Sequence, residues 1–321
     1  MNPTALAIHG GCGVMARLDL AEDEWIAARA DLGRSLEAGW AVLTAGGSAL
    51  DAVEAAVVVM EDSPHFNAGH GAALNTDGEH ELDAAIMNGA DLAAGSVTLA
   101  RRIRNPIRAA RAVMEAQEAV MLGGPAADAF AAGAGLDIVE PSYFTTERRV
   151  AALSAMKRHQ AAGTAAKASE AEKHGTVGAV ALDSAGTLAA ATSTGGYTNK
   201  PAGRIGDSPI IGAGTYARNG VCAVSGTGKG EYFIRHAVAH EIASRMAYLG
   251  ESLEDAASKV IHQDLKPHDI GAGLVAVGAD GAITAPYNTD GMFRGWVLPG
   301  GRMFVASHAE VFDLATLPRP R

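Results

Sequence analysis

The 321-residue chain is 48% hydrophobic and 19% charged with a mean hydropathy of +0.08, the composition of a globular protein able to bury a core. Lys and Arg number 26 against 36 Asp and Glu, and the resulting net charge of −10 argues against a general nucleic-acid binder. Cys12 and Cys222, the two cysteines, form no C-x-x-C pair, which excludes a disulfide framework, a zinc ribbon and a thioredoxin-like site.

The opening MNPTALAIHGG has neither the basic start nor the apolar length of a signal peptide, and no apolar run reaches the roughly 18–20 residues of a membrane span. A cytoplasmic protein without a membrane partner is expected. Ala5–His9 reads as a buried strand entering a glycine turn. Trp25, Ala28, Leu32, Leu36, Trp40 and Leu43 recur at helical spacing, and Gly46-Gly47 ends that helix. Ser48 with Asp51 marks the start of a second helix carrying Leu50, Val53, Val57 and Met60. Glu61–Gly71 has no periodicity and reads as a loop. Strands are expected at Ala72–Asn75, Glu81–Met87 and Ser96–Leu99, and helices at Pro106–Ala119 and Thr146–Gln160.

From residue 161 to 174 the sequence AAGTAAKASEAEKH lacks any bulky apolar residue and reads as a flexible linker. Thr176–Leu182 and Thr187–Thr194 then form a hairpin around Asp183-Ser-Ala-Gly186. Val221–Ser225 is a further strand, Tyr232–Leu249 and Ser252–Leu265 are helices, and Ala272–Val277, Ala282–Pro286 and Met303–Ala306 complete a second group of strands. Strands and helices in both halves fit sheets covered by helices. The 39 glycines and many alanines leave two readings open: close packing and close backbone approach to a ligand, or genomic composition.

Several familiar motifs fail. Gly226-Thr-Gly-Lys-Gly230 lacks the first glycine and the hydroxyl residue of a phosphate loop, which argues against a nucleotide-binding protein. His236 and His240 lack the adjacent Glu of a zincin, and no Gly-x-Ser-x-Gly elbow is present. The junction His174-Gly175-Thr176 is more informative. A threonine hydroxyl is a weak nucleophile unless a base lies beside it, and a chain break at Gly175–Thr176 would supply one as the free α-amine of Thr176. Alone, a Gly-Thr strand start is common.

The hairpin adds weight. Centring its turn near Ala185 makes paired residue numbers sum to about 370, so Thr176 faces Thr194, with Cβ atoms roughly 4.5–5.5 Å apart. Such a pair is also an ordinary sheet contact. In Gly203-Arg-Ile-Gly-Asp-Ser-Pro209, Arg204 and Asp207 offer a cation for an α-carboxylate and an anion for an α-ammonium, or else a local salt bridge. Ser225-Gly-Thr-Gly-Lys-Gly-Glu231 runs from a strand into a helix, where free backbone N–H groups suit an oxyanion hole.

Taken together, the sequence resembles the plant-type (type III) L-asparaginase and isoaspartyl peptidase family of N-terminal nucleophile hydrolases over nearly its whole length. The marks are Ile8-His-Gly-Gly11, Phe66-Asn-Ala-Gly69, Glu81-Leu-Asp-Ala84 with Met87, Arg104-Asn-Pro106, His174-Gly-Thr-Val-Gly178, Thr192-Ser-Thr-Gly-Gly196, the 203–209 loop and the Thr-Gly-x-Gly-Glu run at 227–231. The resemblance implies an α+β fold, a four-layer αββα sandwich. It implies a single-domain precursor that cleaves itself between Gly175 and Thr176 into an α subunit (1–175, ending in the 161–175 linker) and a β subunit (176–321), assembled as (αβ)₂.

Carried over, Thr176 is the nucleophile and Thr194 bonds near it. Arg204 and Asp207, with Ile205 and Gly206 of the same loop, hold the aspartyl unit. Thr227 and Gly228 form the oxyanion hole, Gly230 helps hold the amino group, and Lys229 completes the substrate-binding run on the leaving-group side. The resemblance further implies an alkali-metal ion, sodium or potassium, on main-chain carbonyls of Met60, Glu61, Ser63, Phe66, Ala68 and His70, and no organic cofactor. Cys12 stands where the family usually has Ala, and Lys229 fills a variable position. The expected reaction is acyl transfer from the asparagine side chain or a β-aspartyl dipeptide. Rival readings are a glycosylasparaginase-like amidase and a non-catalytic binder of aspartyl ligands. The first typically lacks the metal loop, and the second has no need of Thr176.

Overall fold

A computed structural model describes residues 3–13, 21–164 and 175–317; residues 165–174 of the expected linker lie outside the described residues. The first half contains β1 (Ala5–Gly13), α1 (Glu22–Thr44), α2 (Ala49–Glu61), β2 (Leu82–Asn88), β3 (Ala94–Ala100), α3 (Pro106–Ala116), β4 (Met121–Gly123), α4 (Pro125–Gly133) and α5 (Glu147–Ala161). The second contains β5 (Val177–Leu182), β6 (Leu188–Thr194), β7 (Thr215–Arg218), β8 (Cys222–Gly228), α6 (Gly230–His236), α7 (Val238–Leu249), α8 (Leu253–Lys259), β9 (Ala272–Gly278), β10 (Ile283–Thr284), β11 (Gly291–Val297), β12 (Met303–Ala306) and β13 (Val311–Asp313).

Local signals account for many boundaries. Acidic Glu22, Asp23 and Glu24 open α1, where they complement the helix dipole. Ser48 caps α2 by accepting the Asp51 N–H at 3.1 Å. Pro106 starts α3, which stops at Ala116 rather than Ala119 because Gln117 turns left-handed at φ 57°. Tertiary contacts decide others. The expected single helix 232–249 breaks at Ala237 (φ 47°), after which Ala239 and His240 donate their N–H groups to Ala213 and Gly212 carbonyls. Ala72–Asn75 is not a strand: Asn67 Oδ1 takes the Ala73 N–H, leaving an isolated Leu74–His80 bridge. The expected strand 282–286 shrinks to the two-residue β10.

Among the described residues the strands form a nine-stranded sheet, ordered β13-β12-β11-β1-β5-β6-β2-β3-β4, and a four-stranded sheet, ordered β10-β9-β8-β7. The larger sheet separates two cores. Val177, Ala179 and Ala181 of β5 pack with Leu36, Val53 and Val57 of α1 and α2. Val180 and Leu182 turn to the other side, into a cluster with Val224 and Val277 of the smaller sheet and Ile242 and Ala256 of α7 and α8. Ala179 and Ala181 of β5 line the side of α1 and α2, and β6 has alanines on both faces, Ala189 and Ala191 on that side and Ala190 on the other, so small side chains sit where layers meet. The fold is mixed, with helices and sheets, as the α+β expectation requires. No described helix is long and apolar enough to cross a membrane.

Antiparallel pairing gathers the critical segments at one end. Val177 faces Ser193 across β5 and β6, and His9 faces Gly178 across β1 and β5. The start of β5, the end of β6 and the end of β1 therefore meet. The expected hairpin register, with Thr176 opposite Thr194, is the observed one extended by one residue.

Candidate active site

Thr176 is buried and precedes β5. Its Oγ1 donates to the Gly175 carbonyl oxygen at 2.7 Å and lies 3.2 Å from Thr194 Oγ1. Thr194 Oγ1 also donates to the Gly175 carbonyl at 3.0 Å and accepts the Gly196 N–H at 3.0 Å. A third group reaches the same carbonyl: Asn67 Nδ2 donates to Gly175 O at 3.0 Å and to Gly196 O at 2.5 Å. The Gly175–Thr176 peptide is therefore held at its oxygen by the Thr176 hydroxyl, a second threonine and an asparagine.

Two glycines allow this approach. A Cβ on Gly11, at φ +105°, would lie 3.1 Å from both Gly175 Cα and Thr176 N, and one on Gly175 would lie 2.7 Å from Asn67 Cβ. His9, near Thr176, is fully buried. Burial pushes its imidazole down to about 3, against a smaller opposing pull from the Thr176 backbone, so it is neutral. His9 Nε2 pairs with Ser225 Oγ at 2.9 Å, and Ser225 Oγ lies 2.7 Å from Thr192 Oγ1. Thr215 Oγ1 then donates to Thr192 Oγ1 at 2.7 Å and to Ser208 O at 3.0 Å, joining both sheets to the loop that carries Asp207.

Thr227 is tied to β1 through Cys12. The Cys12 N–H donates to Thr227 Oγ1 at 3.3 Å, and Cys12 Sγ lies 3.3 Å from Thr227 O. Cys12 ties β1 to the end of β8. Gly228 adopts φ +149° against Gly271 and Ala272.

On the far side, Arg204, Asp207 and Gly230 crowd together. A Cβ on Gly230 would meet Asp207 Oδ1 at 2.7 Å and Arg204 Nη2 at 2.9 Å. The local salt bridge considered between Arg204 and Asp207 is not what forms. Arg204 Nε pairs with Glu231 Oε1 at 3.0 Å, and the guanidinium lies 4.7 Å from the Tyr197 ring centre. That hydrogen bond engages Nε and leaves Nη1 beside Gly206 and Nη2 beside Gly230. Asp207 is buried, its Oδ2 has no partner, and burial pushes its carboxyl up to about 7. Gly206 sits against Arg204 Nη1, Ile205 is partly exposed, and Lys229 is exposed at the start of α6. Glu81 accepts the Gly203 N–H at 3.1 Å and anchors the loop.

The expected carbonyl positions run from the last two residues of α2, Met60 and Glu61, into the loop that follows. Met60 O accepts Ser63 N–H at 3.3 Å, and Glu61 O accepts His70 N–H at 2.7 Å. A Cβ on Gly71 would lie 2.9 Å from the Phe66 and Pro64 carbonyl oxygens, so main-chain oxygens crowd the inside of the curl. This all-oxygen donor type suits a hard alkali cation. The same loop supplies Asn67. Among the described residues no group of three His, Cys, Asp or Glu side chains is placed to hold a metal.

The asparaginase family profile matches residues 1–303. The chain belongs to the asparaginase family. It is 45% identical to an isoaspartyl peptidase of Escherichia coli over 316 residues, covering 98% of each chain. It is also 45% identical to an isoaspartyl peptidase of Salmonella typhimurium over 306 residues, covering 94% of this chain and 97% of that one. The isoaspartyl peptidase/L-asparaginase of Bos taurus is 41% identical over 293 residues, covering 91% and 92%. Within this family member, sequence reasoning brought together Thr176, Thr194, Thr227, Arg204 and Asp207. It gave no role to Asn67, Tyr197, Glu231 or the His9–Ser225 pair. Asn67, His9 and Glu231 did stand inside the quoted motifs.

Proposed function

We propose that the chain is a threonine-type hydrolase of β-aspartyl dipeptides and of the L-asparagine side-chain amide, made as a precursor that cleaves itself before Thr176. The observation that carries this reading is the Gly175 carbonyl, held by two side-chain donors with the Thr176 hydroxyl 2.7 Å from its oxygen. In the first step Thr176 Oγ attacks the Gly175 carbonyl carbon. The C–N bond breaks, an ester forms and the nitrogen takes the proton. Water then hydrolyses the ester, leaving the Gly175 carboxylate and a free Thr176 α-amine.

In turnover that amine takes the proton of Thr176 Oγ as the hydroxyl attacks the substrate's side-chain carbonyl. Thr227 and Gly228 stabilise the oxyanion, the amine proton passes to the leaving ammonia or amino acid, and water releases aspartate. Arg204 binds the α-carboxylate through its free Nη pair. Asp207 accepts the α-ammonium, which supplies the partner its buried Oδ2 lacks. The carbonyls of Met60, Glu61, Ser63, Phe66, Ala68 and His70 would hold the alkali ion, whose fixed charge would stiffen the loop. Asn67, on that loop, holds the Gly175 carbonyl.

The separation of two cores by the larger sheet supports the four-layer αββα arrangement, and we take the cleaved protein to assemble as (αβ)₂. The test is kcat/KM of the matured protein on a β-aspartyl dipeptide, asparagine and a sugar-linked asparagine. Turnover of the first two carries the reading. Turnover of the sugar-linked substrate alone would replace it with a glycosylasparaginase.

A further inference from the structure

A cavity of about 640 Å³ lies away from Thr176, between β11 of the larger sheet and β10 of the smaller one. β10, which borders it, is only two residues long and pairs with β9 at the edge of the smaller sheet. Its walls include Tyr287, Trp296, Ile283 and Ala285, and Arg294 enters from β11.

Arg294 is 92% buried by its 8% exposure. Its register fixes its direction: Arg294 pairs with His9 and Trp296 with Ala7, so both occupy the face turned toward the smaller sheet. Its guanidinium donates from Nη1 to the Met292 carbonyl at 3.0 Å and lies 4.8 Å from the Tyr287 ring centre. No described carboxylate forms an ion pair with it; Glu254, at the cavity rim, is engaged by Thr284 Oγ1. Burial also lowers its pKa from the ordinary arginine value. A buried cation without an anion is costly, and Arg294, hydrogen-bonded to the Met292 carbonyl and to Tyr287 through part of its guanidinium, borders a cavity with aromatic walls.

We propose that this cavity is a second ligand site, separate from the Thr176 cleft, for a small carboxylate with an apolar body. The carboxylate takes the two-pronged Arg294 fork, and the body lies beside Trp296 and Ile283. Tyr287 connects this site to the oxyanion strand. Its Cβ is 3.0 Å from where a Cβ on Gly273 would stand, and Gly273 pairs with Thr227.

Phenylacetate is the probe. Of the three tryptophans, Trp296 lines the cavity, while Trp25 and Trp40 pack in the opposite core. Titration of the full matured protein should give saturable quenching of Trp296 fluorescence and a matching calorimetric isotherm. Arg294→Met should weaken binding at least about tenfold, the loss expected of a charged hydrogen-bond partner. Arg204→Gln, in the Thr176 cleft, should leave it unchanged. Ala285→Phe, which fills the cavity from its rim, should also abolish binding and serves if Arg294→Met does not fold. Absence of binding to the wild type overturns the proposal. So does binding that survives Ala285→Phe, or that is lost in Arg204→Gln but kept in Arg294→Met.

Discussion

At the Gly175 carbonyl three donors converge on one oxygen, whereas at the opposite side of the cleft the buried Asp207 Oδ2 has no partner at all. The first arrangement is complete within the uncut chain. On the proposed function the second is completed by the substrate's ammonium. A buried acceptor left unsatisfied costs about 1–3 kcal/mol, so it persists where a ligand's donor repays it. On the proposed function the contrast separates two tasks: self-cleavage would need only internal partners, while turnover would need both sides.

The largest expected effect removes the shared hydroxyl. Thr176→Ala should stay folded, remain a single chain on denaturing gels and hydrolyse no β-aspartyl dipeptide, because both tasks use that oxygen. Asn67→Leu attacks the internal side. Losing one preorganised donor typically costs about 10²–10³ in rate, and self-cleavage followed by gel densitometry should slow by that order.

Arg204→Lys sharpens the contrast from the other side. The charge stays, but Lys cannot present two parallel N–H groups while a third holds Glu231. kcat/KM on a β-aspartyl dipeptide should fall by roughly 10- to 150-fold, with self-cleavage intact. Equal values would place Arg204 outside the site, as a surface ion pair replaceable at little cost.

The smallest effect is on stability. Asp207 has an ordinary value of 3.8 and is pushed up to about 7 by burial. Between those values the native state holds a proton that the unfolded chain has released. The stabilisation is therefore complete below about pH 4 and fades as pH rises through 7. In an uncleaved Thr176→Ala background, urea denaturation between pH 5 and 8 should show this decline, and adding Asp207→Asn should flatten it.

Legibility followed the range of the interactions. The 176–194 hairpin was readable because a short turn between two apolar runs fixes its register, and with it the Thr176–Thr194 contact. The Ser48 cap and Pro106 start were readable as local chemistry. Strand β11 was passed over because Gly291, Arg294 and Gly295 interrupt its apolar pattern; a Cβ on Gly295 would lie 2.7 Å from Leu36 of α1, a contact invisible in sequence. Helix α4, made largely of alanine, buries only Ala127 and Ala131 and shows little periodicity. Asn67 lies 108 residues from Gly175 in an aperiodic loop, so its hydrogen bond follows from tertiary folding alone.

The most direct test of the account follows intact mass and activity together in freshly purified wild-type protein. The 32.7 kDa chain should give fragments of about 18 and about 15 kDa, in proportion to their residue numbers, with Thr176 as the first residue of the smaller. Hydrolysis of a β-aspartyl dipeptide should rise in step with the cleaved fraction. Full activity from a chain that remains whole would contradict it.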